Sequence, residues 1–79
     1  MTLTEAISIR INELMEERKL TQYRLSMLSG VSQSTIGDIR WQRNKSVNLR
    51  IIYEIAQGFK MDLIQFFNSS LFKGDNITD

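Results

Sequence analysis

Seventy-nine residues without a single cysteine or histidine make one small domain and exclude disulfides, the usual zinc sites, and Ser/His/Asp or Cys/His catalysis. A net charge of +1, no proline and 42% hydrophobic residues make a helical globule the default class, with a compact core held by packing alone. No apolar run approaches the ~18 residues of a membrane span, and no basic stretch precedes an apolar one at the N-terminus, so the expectation is a soluble, cytoplasmic chain with no membrane contact.

Ile7, Ile11 and Leu14 recur at helical spacing, with Leu3 one turn earlier, which predicts a first helix running to about Arg18. Thr2 or Thr4 can cap it, Glu5 suiting a capping box with Thr2. Arg18 and Lys19 complement the dipole at its end. Thr21 is a good N-cap for a short second helix whose Leu25 and Leu28 are expected in the core, and Gly30 suits the left-handed turn that closes it. Ser32 then caps a third helix carrying Ile36 and Ile39. Residues 42–47 are polar and basic and read as a loop. Asn48 caps a fourth helix with Leu49, Ile52, Ile55, Ala56 and Phe59 inward, and Asp62 with Gln65 forms a capping box for a short fifth bearing Leu63, Phe66 and Phe67. Residues 1–68 are thus expected to be the domain, with 69–79 a partly flexible tail.

Charge is unevenly spread. Residues 1–17 hold Glu5, Glu13, Glu16 and Glu17 against Arg10, a balance of −3. Residues 18–50 hold Arg18, Lys19, Arg24, Arg40, Arg43, Lys45 and Arg50 against Asp38 alone, a balance of +6. Residues 51–79 hold Lys60 and Lys73 against Glu54, Asp62, Asp75 and Asp79, a balance of −2. A basic middle between acidic flanks suits a polyanion-binding surface, and equally an uneven solvated one.

Two short helices joined by a glycine-containing turn are the helix-turn-helix signature. The stretch Leu20-Thr21-Gln22-Tyr23-Arg24-Leu25-Ser26-Met27-Leu28-Ser29-Gly30-Val31-Ser32-Gln33-Ser34-Thr35-Ile36 resembles the lambda-repressor-like (Cro/cI-type, XRE-like) helix-turn-helix family. Leu49-x-x-Ile52-x-x-Ile55-Ala56-x-x-Phe59 and Leu63-x-x-Phe66-Phe67 fit its fourth and fifth helices. The likeness spans roughly residues 5–67. It implies an all-α, five-helix fold that binds double-stranded DNA, with the second helix across the backbone and the third, starting near Ser32, in the major groove.

Carried over by position, the resemblance gives Gln33, Ser34 and Asp38 as the residues facing base edges. Gln22 matches a glutamine that touches phosphate and braces the recognition helix. Thr35 and the loop residues Arg43, Asn44 and Lys45 match backbone contacts, with Arg24 and Arg10 as further phosphate partners. The chemistry suits these roles, since a glutamine amide pairs with adenine and a serine hydroxyl donates or accepts. Asp38 can accept from cytosine N4, or can pair with Arg40, Gln42 or the loop cations. Gly37 reads as room for DNA or as a tolerated glycine, costing roughly 1 kcal/mol of helix stability.

Three positions depart from the family pattern. Met15 and Arg40 stand where many relatives pair an arginine with a glutamate, so that ion pair is missing, Met15 is expected to pack, and Arg40 is free for phosphate or solvent. Lys60 replaces the glycine that ends the fourth helix, straining the turn or shifting the cap to Gly58. Trp41 replaces a small or polar residue and is expected to cover the core edge or to touch the DNA backbone or a partner.

The family usually works as a dimer on a near-palindromic site, and Phe66, Phe67, Leu71 and Phe72 either complete the core or form that contact. The resemblance implies a repressor of phage or mobile-element type or an antitoxin-like autoregulator, with no cofactor and no metal. A protein-interaction module on the same fold is the competing reading. An enzyme is the least supported, because no nucleophile–base pair, metal cluster or phosphate-cradling glycine loop is visible.

Overall fold

Every α-helix of the chain starts at a side-chain cap. The computed structural model describes residues 1–79 and contains α1 (Leu3–Arg18), α2 (Gln22–Ser29), α3 (Gln33–Arg40), α4 (Leu49–Gly58) and α5 (Leu63–Phe67), with no strand. Thr2, Thr21, Ser32, Asn48 and Asp62 accept hydrogen bonds from backbone N–H groups in the first turns of these helices. Each cap satisfies donors that have no carbonyl partner inside the helix. The Asp62–Gln65 capping box closes from both sides. Thr4 plays no such part, its hydroxyl donating instead to the Lys45 carbonyl at 2.9 Å.

The helix ends are less conventional. Gly30 takes the left-handed conformation (φ 77°) after α2. After α1, α3 and α4 the same conformation falls to Lys19, Gln42 and Lys60 (φ 55°, 56° and 60°). In each case two backbone bonds fold the chain back: Leu20 N–H to Met15 O with Lys19 N–H to Glu16 O, Arg43 to Asp38 with Gln42 to Ile39, and Met61 to Ala56 with Lys60 to Gln57. This is the Schellman arrangement, which prefers glycine and costs a side-chain-bearing residue about 1–2 kcal/mol. The α4 turn is therefore made by Lys60, and the cap does not move to Gly58. Gly58 is needed where it is, because a Cβ there would lie 3.0 Å from the Ser29 Cβ and 3.3 Å from the Ser29 Cα.

That close crossing of α2 and α4 decides which residues face inward. Leu25 and Ser29, one turn apart, point α2 at α4, so Leu25 is fully buried while Leu28 is 42% exposed, not in the core as its spacing implied. Leu49, also expected inward, is 63% exposed because it is the first residue of α4 and lies beyond the packed stripe. The core otherwise gathers Ile7, Ile11, Leu14 and Met15 of α1, Leu25, Val31, Ile36 and Ile39 around the turn, Ile52, Ile55, Ala56 and Phe59 along α4, and Phe66 of α5.

Residues 69–79, expected as a tail, fold back on the body. Two 3₁₀ turns, Ser70–Phe72 and Gly74–Asn76, bring Phe72 edge-on to Phe67 with ring centroids 4.9 Å apart, and Phe67 stands edge-on to Phe66 at 5.1 Å. The C-terminal residues then meet the start of the chain: Thr78 N–H donates to Met1 O at 2.9 Å, and Leu3 N–H to the Asp79 carboxylate at 3.0 Å. The radius of gyration, 11.6 Å, is that of a fully compact chain of this length. No helix is long and apolar enough to cross a membrane.

Candidate nucleic-acid interface

The third helix buries Ile36, Gly37 and Ile39 and turns its other side out. Gln33, Ser34, Asp38 and Trp41 follow one another at helical spacing, so they share one stripe, with the buried Gly37 in its floor. Gln33 and Ser34 are exposed in the first turn, and Asp38 lies one turn beyond Ser34. The hydroxyl of Ser32 gathers its neighbours, accepting from Thr35 N–H at 3.2 Å and donating to Thr35 Oγ1 at 2.9 Å, with Ser34 Oγ at 3.3 Å. The entry to α3 is thus a cluster of three hydroxyls.

Gln22 reaches across from α2. Its Nε2 donates to the Gln33 carbonyl at 3.0 Å, and its Oε1 accepts from Arg40 NH1 at 3.0 Å. Gly37 makes this possible, since a Cβ there would sit 3.2 Å from Gln22 Nε2. Its absent side chain serves the Gln22 amide, a reason that neither reading of Gly37 supplied.

The arginines are placed differently from expectation. Arg40 is tied within the protein: Nε donates to Asn12 Oδ1 at 2.6 Å, NH1 to Gln22, and its guanidinium lies 5.1 Å from the Trp41 ring centroid. Its backbone carbonyl accepts from the buried Ser8 hydroxyl at 2.6 Å. Ser8 and Asn12, one turn apart on α1, therefore replace the family ion pair as the tie between α1 and α3. Arg10 is likewise committed, its guanidinium donating to the Phe66 and Gln65 carbonyls at 2.7 and 3.0 Å. Arg18 donates to the Phe59 carbonyl and lies over the Phe59 ring. Both satisfy carbonyls at the ends of α5 and α4, where cations also complement the helix dipole. Arg10 thereby leaves the set of phosphate candidates.

Within residues 18–50 the exposed positive charge that remains lies on Lys19, Arg24, Arg43, Lys45 and Arg50, and Lys60 and Lys73 are exposed outside that stretch. Arg43 pairs with Asp38 at 3.2 Å, so the carboxylate on the α3 stripe carries its own counter-charge. Residues 42–45 line a hydrophilic groove of about 480 Å³ with Thr2, Thr4 and Asp79. Trp41 does not cover the core edge. It is 60% exposed at the far end of the stripe.

Asn12 and Ser8 were missed among the positioning residues. Their signal was two polar residues one turn apart on the flank of the Ile7–Ile11–Leu14 stripe, where an apolar pair would be the ordinary choice.

The chain shows no match to a curated protein or to a solved structure. Residues 10–68, taking in all of α2 to α5 and most of α1, match the Cro/C1-type HTH DNA-binding domain. The chain belongs to that family of DNA-binding domains.

Proposed function

We propose that the chain is a transcriptional regulator, acting as a repressor, that binds a specific double-stranded DNA site with α3 in the major groove. Gln33, Ser34 and Asp38 contact base edges. Gln22, Arg24, Thr35, Arg43, Asn44 and Lys45 hold the sugar-phosphate backbone. The observation that carries this reading is the exposed polar stripe on α3 flanked by a cationic loop whose Arg43 is tied to Asp38. A helix presenting amide, hydroxyl and carboxylate groups beside exposed cations supplies both parts of recognition, bases for choice and phosphates for affinity.

Few cations per copy remain free, so one copy alone binds weakly at physiological salt. Two copies on a near-palindromic site double the phosphate contacts. The aromatic rings of α5 and the tail stack on one another, and Ile64, 82% exposed, is the apolar residue that α5 leaves for a second copy.

Selection from a random duplex pool, followed by salt titration, tests the reading. An enriched motif and a log affinity that falls linearly with log salt are expected. Gln33→Ala relaxes preference at one base pair, whereas Lys45→Ala weakens all sequences alike. A pool that yields no motif and no low-salt binding favours the protein-interaction module instead.

A further inference from the structure

Gln22 has two neighbours with opposite hydrogen-bonding capacity. A guanidinium only donates and a backbone carbonyl only accepts. Arg40 at 3.0 Å from Oε1 and the Gln33 carbonyl at 3.0 Å from Nε2 therefore permit one orientation of the amide. Turned over, Gln22 would set its NH₂ against the guanidinium and its oxygen against the carbonyl, leaving two repulsive contacts in place of two bonds. Arg40 is in turn held by Asn12 at 2.6 Å, and its own carbonyl by Ser8 at 2.6 Å. A chain of polar contacts thus runs from α1 through the last residue of α3 to α2, and from α2 back to the first residue of α3.

We infer that Arg40 is a positioning residue for DNA reading: it touches no base, and it fixes the Gln22 amide that holds the first turn of α3 and hence the direction in which Gln33 and Ser34 face. This rests on the DNA-binding reading above. The physical reason is geometric. Base-edge contacts require donors and acceptors placed to a fraction of an ångström, and a side chain is that well placed only when its supports are locked. Gly37 itself offers the Gln22 amide no side chain to rest against, so Arg40, at the end of the same helix, is the side chain that orients it. An ion pair at this place would tie α1 to α3 without reaching α2. The Asn12–Arg40–Gln22 chain links all three.

The test compares Arg40→Met, which keeps an unbranched stem and removes every donor, with Arg40→Lys, which restores a cationic donor group but not the two-sided fork. Both are measured at a temperature where helical content matches wild type. In Arg40→Met, the ratio of affinities for the selected site and for the site altered at the Gln33 base pair falls by about fivefold or more, the lower end of what one bidentate base contact supplies. The salt slope stays unchanged, and Arg40→Lys recovers part of the ratio. In the free protein, the Gln22 side-chain amide has distinct, exchange-protected ¹⁵N-¹H resonances that average towards free glutamine in Arg40→Met.

Two results overturn the inference while leaving DNA binding intact. One is a salt slope lower by about one with preference preserved, which makes Arg40 a phosphate contact. The other is a lower melting temperature with preference, slope and Gln22 resonances all unchanged, which makes it a structural tie alone. A wild-type chain that selects no site overturns the functional reading itself, and the Gln22 resonances still decide whether Arg40 orients the amide.

Discussion

Asp38 and Arg43 pair at 3.2 Å, across the turn that closes α3, with 38% and 60% of their side chains exposed. The turn itself brings them together, because Arg43 N–H bonds to the Asp38 carbonyl at 2.8 Å while Gln42 adopts the left-handed conformation between them. A carboxylate that faces DNA alone would be repelled by phosphate. Paired, it presents a nearly neutral unit from which one oxygen can still accept.

This pair yields the first prediction. Asp38→Asn changes folding stability by less than about 1 kcal/mol, the range of an exposed ion pair. It raises affinity for all DNA sequences by about threefold at low salt, since one carboxylate near the phosphates is gone and Arg43 is released. Where Asp38 accepts from cytosine, the preference at that base pair is lost in the same variant. Salt titrations on the selected site and on a scrambled duplex check both parts, and an unchanged affinity for the scrambled duplex refutes the electrostatic one.

Lys60 stands at φ 60° in a turn that favours glycine. Lys60→Gly relieves the left-handed conformation and is expected to stabilise the chain by about 1 kcal/mol, read as a higher urea midpoint at constant slope. The side chain is exposed, so nothing packed is lost. A destabilised variant would mean that the unfolded-state freedom of glycine outweighs the relief.

Much of this fold is legible in residue order, and the reason is local. Thr21, Ser32, Asn48 and Asp62 cap helices within their own neighbourhoods, and Ile7–Ile11–Leu14 and Ile52–Ile55–Phe59 mark inward faces by spacing alone. What escapes is whatever is decided by a partner far along the chain. Arg10 reads as a phosphate contact because nothing nearby in sequence announces its acceptor, the Phe66 carbonyl fifty-six residues on. Arg40 reads as free because the residue that receives it is Asn12 and not a carboxylate. Leu28 reads as core because only the Ser29–Gly58 crossing reveals how α2 is rolled. The positions of Gln33, Ser34 and Asp38 on one face follow from helical spacing, whereas the support beneath them does not.

Two helical glycines should respond differently to alanine. At Gly58 the new Cβ meets the Ser29 Cβ and Cα and the Leu25 side chain at 3.0–3.3 Å, and α2 and α4 must separate. Gly58→Ala is therefore destabilising by about 1–3 kcal/mol despite alanine's better helix propensity. At Gly37 the obstacle is the end of the Gln22 side chain, at 3.2 Å, which can yield at the cost of its bond to Gln33. Gly37→Ala gains up to about 1 kcal/mol of propensity and gives back a hydrogen bond of similar size, so stability stays within about 0.5 kcal/mol. DNA preference declines all the same, because the brace has moved. Paired urea unfolding and competition binding separate the cases, and a Gly37→Ala variant with unaltered preference would show that the brace does not matter for reading.

The final prediction concerns the C-terminal segment. Phe72 is half-buried and stands edge-on to Phe67 with ring centroids 4.9 Å apart, and the segment beyond it bonds to Met1 and Leu3 at the start of the chain. Removing a fully buried phenylalanine side chain costs about 3–5 kcal/mol. With half of its surface in solvent, Phe72→Ala should cost roughly 2 kcal/mol in the full chain. The same variant should expose the Thr78 amide to hydrogen exchange, because its bond to the Met1 carbonyl depends on the 3₁₀ turns holding the segment against the body. A Phe72→Ala protein within about 0.5 kcal/mol of wild type, with Thr78 exchanging equally fast in both, would mean that residues 69–79 behave as the loose tail their polar composition suggested.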